Sequence, residues 1–289
     1  MARCVYTALT GGNERLNEQP SRAQSALPFI CLTDDPDLRS ESWEVRYLAP
    51  IFAADPVRSQ RAFKLLPHRY LPEFEASLYI DNSVRLKVSP ERVFTVAAAG
   101  AGLSLPAHSF RASLLDEFLA VIEQKLDDPP RLAEQLAHYR ESHEDRLAGP
   151  VSWNALLLRD HRDPRVIRAM EIWLAHLCRY SRRDQLSAPV AFHLAGLRPD
   201  LWAIDNYESW MHSWPHAPER RDERRLWGDD QNLRQQAERI LALEAELAAA
   251  KAKFAAVSDS YETVLASRSW RLLAPARAIG RKLRQVSRR

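Results

Sequence analysis

The chain has 289 residues, 46% apolar and 27% charged, with eight Trp, eight Tyr and nine Phe; this composition builds a core and excludes a disordered chain. Its longest apolar stretch, Val96 to Ala107, is broken by Ser104 and Pro106, far short of the roughly 18 apolar residues of a helical membrane span. The net charge of +3 hides an asymmetry, because eight basic residues and no acid follow Ser267. The preceding body is therefore mildly acidic, which argues against nucleic acid as a partner.

Taken in chain order, Val5 to Thr10 is β-branched and aromatic and stops at Gly11-Gly12, predicting a strand and a turn. Phe29 to Thr33, closed by Asp34-Asp35-Pro36, predicts a second strand, and Trp43 to Leu48 a third. Pro56 to Leu66 has helical spacing, with Phe63, Leu66 and Tyr70 on one side and Arg58, Arg61, Lys64 and His68 along another. Ser77 to Ile80 predicts a short buried strand ending at Asp81; Arg92 to Val96 and Leu103 to Phe110 predict two more. Helices are expected over Ser113 to Leu126 and Pro130 to Arg140, and a strand over Trp153 to Arg159. Asp163-Pro164 then reads as the cap and first turn of a helix burying Ile167, Met170, Leu174 and Leu177. Alternating strands and helices predict an α/β sheet flanked by helices over residues 1–215.

Pro215, Pro218 and the charged run from Glu219 to Arg225 predict a linker over 216–230. Beyond it, Leu233, Ile240, Leu247, Phe254 and Tyr261 recur every seven residues, each followed three places on by Gln236, Leu243, Ala250, Val257 or Val264. Neither Gly nor Pro interrupts 231–266, so a self-associating coiled coil is expected there, with a single amphipathic helix folded onto the body as the alternative. Over 267–289 the cations interleave with Trp270, Leu272, Leu273, Ile279 and Leu283. That pattern suits a basic amphipathic helix on an anionic membrane surface, or equally a solvated basic end. Three scattered cysteines (Cys4, Cys31, Cys178) and no leader-like start predict a cytoplasmic protein, peripheral at the inner membrane if the tail binds lipid.

Several chemistries find no motif. There is no Gly-x-x-x-x-Gly-Lys-Ser/Thr loop, no Gly-x-Ser-x-Gly elbow and no His-Glu-x-x-His pair, and Gly100-Ala101-Gly102 is followed by Leu105 where a dinucleotide fingerprint wants Gly or Ala. With eight glycines in all, a phosphorylated ligand would have to be neutralised by side chains and a metal rather than by backbone alone.

One block carries a resemblance. Arg61-Ala62-Phe63-Lys64-Leu65-Leu66-Pro67-His68-Arg69-Tyr70-Leu71-Pro72, followed by Ser77-Leu78-Tyr79-Ile80-Asp81-Asn82-Ser83, resembles the helix-then-strand-Asp block of a plant and bacterial family of glycosyltransferase-like proteins. Val5 to Gly12, Phe29 to Asp35, His108-Ser109-Phe110-Arg111 leading into Asp116-Glu117, and Ser181 to Ser187 match as well, over residues 4–195. Ser267 to Pro275 is similar to the tail that follows a coiled coil in bacterial glycosyltransferases. More distantly, the block is similar to family-eight glycosyltransferases of the GT-A fold.

The resemblance implies a GT-A-like mixed sheet and transfer of a sugar from a nucleotide-sugar donor, such as a UDP-sugar, to a glycan of the cell envelope. It implies no organic cofactor and a divalent cation, Mn or Mg, at Asp81, Ser83 and a later histidine, His212 or else His216, although Ser83 stands where a second carboxylate is usual; the alternative is a metal-free site in which Arg61, Lys64 and Arg111 bear more of the diphosphate charge. Asp184 and Gln185 are the expected catalytic pair, with Asp184 orienting the sugar or taking the acceptor proton. Thr7, Thr10, Asp34, Asp35, Arg61, Lys64, His68 and Arg111 are the expected donor-binding residues, the cations meeting the charge of the departing diphosphate. Each has a plain structural alternative. Asp81 can cap a turn, Arg61 and Lys64 can form a solvated helix face, and Asp184 can cap a helix beginning at Gln185. His68 and His108 can be satisfied structural histidines, and Thr7 and Thr10 strand packing. A non-catalytic module of the same fold, recruiting partners through its coiled coil, is the alternative for the whole chain.

Overall fold

The computed structural model describes residues 2–12, 14–97, 102–216 and 230–272. The chain divides into two units, Met1–Arg221 and Asp222–Arg289. Most of the expected linker (217–229) and the tail beyond Leu272 lie outside the described residues.

In the first unit, β1 (Arg3–Leu9), β2 (Phe29–Thr33) and β3 (Glu44–Tyr47) form where β-branched and aromatic runs are cut by turn residues. Gly11 and Gly12 close β1 with φ of 77° and 61°, values an L side chain resists. Helix α1 (Pro56–Leu65) starts as expected for its sequence, with Asp55 accepting the Arg58 N–H and proline in the first turn. It is followed by the short α2 (Pro67–Tyr70), β4 (Ala76–Ile80) and β5 (Arg85–Leu86).

Arg92 to Val96, expected as a strand, is instead part of helix α3 (Pro90–Ala97). Pro90 sits in its first turn, and Val93 and Phe94 pack on the sheet while Arg92, Thr95 and Val96 face solvent; burial of one side outweighs the β-branched composition. Next come β6 (Leu103–Pro106), α4 (Leu114–Glu123), α5 (Pro129–Ser142), α6 (Glu144–Leu147), β7 (Leu156–Asp160), α7 (Pro164–Arg179), α8 (Asp184–Leu194), β8 (Asp200–Trp202) and β9 (His212–Ser213). Asp163 caps α7 as expected, but α8 begins at Asp184 itself, with Arg183 in the cap position.

Seven strands form one mixed sheet in the order β3-β2-β1-β4-β7-β6-β8, and β5 pairs with β9 in a separate ribbon. Strand β7 runs antiparallel to both β4 and β6, and the other neighbours pair in parallel. Alternation along β1 divides the core. Cys4, Tyr6 and Ala8 pack with α1, α7 and α8, whereas Val5 and Leu9 pack on the face that carries α3 and Trp153. A third cluster joins α4, α5 and α8 through Phe118, Tyr139 and Leu186.

From β1 the chain moves outward to β2 and β3, then α1 carries it back across to β4. A topological switch point therefore lies between β1 and β4, the place where open α/β sheets leave a ligand crevice at the carboxyl ends of their strands.

In the second unit, α9 (Asp230–Ala266) covers the expected heptad segment and α10 (Arg268–Leu272) follows it. The side chains of Leu243, Leu247, Phe254, Val257, Tyr261 and Val264 are exposed. Among the described residues, no helix is long and apolar enough to cross a membrane.

Candidate active site

Asp81 follows the carboxyl end of β4, the middle strand of the sheet. Its Oδ1 accepts hydrogen bonds from the Tyr79 hydroxyl at 2.7 Å and from Lys64 Nζ at 3.3 Å. The same ammonium donates to Asp184 Oδ2 at 2.7 Å, so one cation from α1 ties a carboxylate at the sheet edge to one in the first turn of α8. Lys64 is 1% exposed and its Nζ lies 4.9 Å from the Tyr79 ring centroid. Its backbone is pinned too, because the Lys64 carbonyl accepts from Tyr6 Oη at 2.5 Å and from the buried Arg159 at 2.9 Å. Arg61, one turn earlier on α1, brings NH1 to 3.8 Å from Asp184 Oδ2. Trp173 Nε1 holds the Asp184 carbonyl at 2.8 Å.

Burial alone would push the Asp184 carboxyl up, but Arg61 and Lys64 outweigh it and hold the group well below the usual carboxylate range. Asp184 thus stays ionised and is a poor proton acceptor. Glu117 on α4 behaves in the opposite way: burial pushes its carboxyl up against the pull of Arg183 and Arg111. Arg111 Nε donates to Glu117 Oε2 at 3.2 Å, and His108 Nε2 lies 4.0 Å from the same oxygen. The His108 imidazole is lowered to about 4 by burial and by Arg111, so it is neutral at pH 7.

Six expected site residues, Arg61, Asp81, Ser83, Arg111, Asp184 and Gln185, line one cleft of about 590 Å³. Glu117 and Arg183 line it as well, and neither stood out in the sequence, although both fall inside motifs that did. Lys64, Thr7, Thr10, Asp34, Asp35, His68 and His212 are not among its lining residues. Thr7 is buried within β1, and Thr10 Oγ1 donates to the Pro56 carbonyl at 2.6 Å. Both Asp34 oxygens accept from the Gly11 N–H, at 2.9 and 3.1 Å, which braces the turn after β1. Asp35 takes part in a local turn with Asp37 and lines a separate hollow of about 340 Å³ beside β3. His68 Nε2 lies 3.8 Å from Glu171, and burial lowers its pKa.

The expected metal set does not assemble. His212 is fully buried and both ring nitrogens are committed, Nε2 to the Asn206 carbonyl at 3.0 Å and Nδ1 to Ser209 Oγ at 2.8 Å. Ser83 Oγ accepts from Trp214 Nε1 at 3.1 Å. Among the described residues, no group of three or more His, Cys, Asp or Glu is placed to hold a metal ion. Asp81, Ser83 and His212 therefore do not fit a divalent cation as a ligand set. Between the two nearest carboxylates stands the Lys64 ammonium instead.

Residues 34–206, which include α1, β4, the cleft-lining segment that leads into β7, and α8, match the model of the TOD1/MUCI70, glycosyltransferase-like domain. The chain belongs to that family. Membership supports glycosyl transfer as the class of activity. No curated protein matches the chain. Among solved structures, the WbbM bifunctional glycosyltransferase in its apo form is similar at a TM-score of 0.41 and 7% identity, over 70% of this chain and 38% of that one. Mouse xyloside xylosyltransferase 1, also apo, is similar at a TM-score of 0.37 and 10% identity, over 69% of this chain and 84% of that one. Likeness at this level carries no function from one chain to another.

Proposed function

We propose that this TOD1/MUCI70-family chain transfers a sugar from a nucleoside-diphosphate donor to a glycan, on a sheet of the GT-A type distantly akin to family-eight enzymes. The observation that carries the reading is the meeting of Asp81 and Asp184 on one buried ammonium, beside Arg61, in a cleft at the carboxyl edge of the sheet. Lys64 is a positioning residue: its charge is taken up by the two carboxylates it holds in place. Arg61, Arg111 and Arg183 are the cations that meet the diphosphate, stabilising the charge that develops as the bond to the anomeric carbon breaks.

In that step an acceptor hydroxyl oxygen bonds to the anomeric carbon, the nucleoside diphosphate leaves with the electron pair, and the hydroxyl proton passes to a base. Glu117 suits that base better than Asp184, because its raised pKa gives it a proton affinity nearer neutrality. Asp184 stays anionic and orients the donor sugar, with Gln185 beside it. The exposed heptad face of α9 supports self-association, and the basic residues from Arg268 onward suit an anionic membrane surface near the acceptor.

Turnover of a panel of UDP- and GDP-sugars, with and without manganese, tests the reading. At least one donor should be hydrolysed or transferred, and Asp81→Ala should lower the rate about 100-fold or more. A second reading, a non-catalytic module that recruits partners through its coiled coil, is favoured by the commitment of Ser83 and His212 elsewhere. Tight partner binding without turnover of any donor would favour that reading.

A further inference from the structure

Beyond the diphosphate end, the cleft has a wall that the transfer reading does not use. Phe110 stacks on Tyr207 with ring centroids 5.3 Å apart and planes 25° apart; Tyr207 lies 5.2 Å from Trp214, and Trp214 lies 5.6 Å from Trp153. All four rings line the same cleft as Arg61, Asp81 and Asp184. Two are well exposed, Phe110 at 39% and Tyr207 at 49%, although large aromatic faces are normally withdrawn from water. Among these rings sit two polar groups short of partners. Asn154 is 2% exposed, and its amide Nδ2 has no hydrogen-bond partner while its Oδ1 accepts from Ser152 Oγ at 2.7 Å. His108 Nδ1 is likewise buried and unpartnered. Buried donors and acceptors normally find partners, so two such groups behind the wall of one cleft mark hydrogen-bonding capacity that the fold itself leaves unused there.

The geometry points to an acceptor subsite for a pyranose saccharide on this aromatic wall, an inference that rests on the transfer reading above. A pyranose presents polarised C–H groups to the negative face of an aromatic ring and hydroxyls at its edge, which matches rings flanked by Asn154 and His108. Sheet order separates this wall from the base end of a nucleotide, with Arg111, 5.3 Å from the Phe110 ring, meeting the diphosphate beside the wall. Trp153 and Asn154 precede β7, His108 and Phe110 follow β6, and Tyr207 follows β8, all on the far side of β4 from the β1/β4 switch point. A nucleobase held near β1 and β2 would lie on the other side of Asp81, so these rings are assigned to the acceptor sugar.

The test uses the full chain without nucleotide, on an array of oligosaccharides built from hexoses, N-acetylhexosamines and uronic acids. The strongest ligand is then titrated while Trp fluorescence is followed, since Trp153 and Trp214 belong to the wall. Tyr207→Ala and Phe110→Ala remove exposed rings; their melting curves should match the wild type. Each should weaken saccharide binding about tenfold; Tyr207→Ala should leave UDP and GDP binding unchanged, while Phe110→Ala, whose ring lies 5.3 Å from the Arg111 guanidinium, is read on saccharide binding alone. Turnover of a nucleotide sugar by water, with no saccharide bound on the array, would overturn the subsite while leaving the transfer reading intact. An equal loss of UDP or GDP binding in Tyr207→Ala would overturn it by assigning the rings to the base. Saccharide binding in a chain that turns over and binds no nucleotide sugar would overturn the transfer reading and, with it, the acceptor role of the wall.

Discussion

Lys64 is the residue on which the site's geometry depends, since two carboxylates share its buried ammonium. Replacing it by Met would remove the ammonium that Asp81 and Asp184 share and leave Asp184 with the more distant Arg61 pair at 3.8 Å, and breaking a buried pair typically costs about 3–5 kcal/mol. Urea unfolding at pH 7 should show that loss. The pH dependence has a definite sign. The Asp184 pKa is lowered on folding, so its ion pairs stabilise fully above the unfolded carboxylate value of about 4 and are lost as pH falls through the lower folded value. The gap between wild type and Lys64→Met should therefore be widest near neutrality and narrow in acid. The Arg61 and Lys64 spacing and Asp81 at a strand end were legible in the sequence. The partnership with Asp184 was not, because it joins α1 to α8 across a long stretch of chain. His212 misled for a related reason: nothing local to a histidine reveals that both nitrogens are already bonded in the fold.

Among elements, β1, β2, β4, α1 and α7 were readable because strong local signals agree with burial: alternating or continuous apolar runs, Gly-Gly and Asp-Asp-Pro stops, and Asp-Pro helix starts. Helix α3 was not, since a short Val-Phe-Thr-Val run fits either period and only packing on the sheet decides between them. The antiparallel insertion of β7 between β4 and β6 is likewise a product of tertiary pairing that no local pattern carries. The turn into β6 gives a sharp test at this scale. Gly102 has φ of 70°, and a Cβ there would meet Asp163 Oδ2 at 2.7 Å, close to the cap of α7. Gly102→Ala should destabilise the protein by about 1–3 kcal/mol, seen as a lower melting temperature.

For the whole molecule, the heptad period coincides with a long described helix, α9. Its apolar face is exposed, which the proposed pairing of two or more copies would cover. If copies pair as proposed, Leu247→Asp with Phe254→Asp should lower the mass seen in light scattering to that of a monomer, without change in the melting of the body; an unchanged mass would contradict the coiled coil. What the heptads cannot supply is chemistry, which belongs to the first unit and to the rim of its sheet. Calorimetric titration of UDP and GDP into the full chain, wild type against Arg61→Ala, reaches that rim most directly. Saturable binding of at least one nucleotide is expected, weakened about tenfold or more when the guanidinium is removed. Binding that is equally tight in both proteins, or no binding of either nucleotide to the wild type, would contradict it.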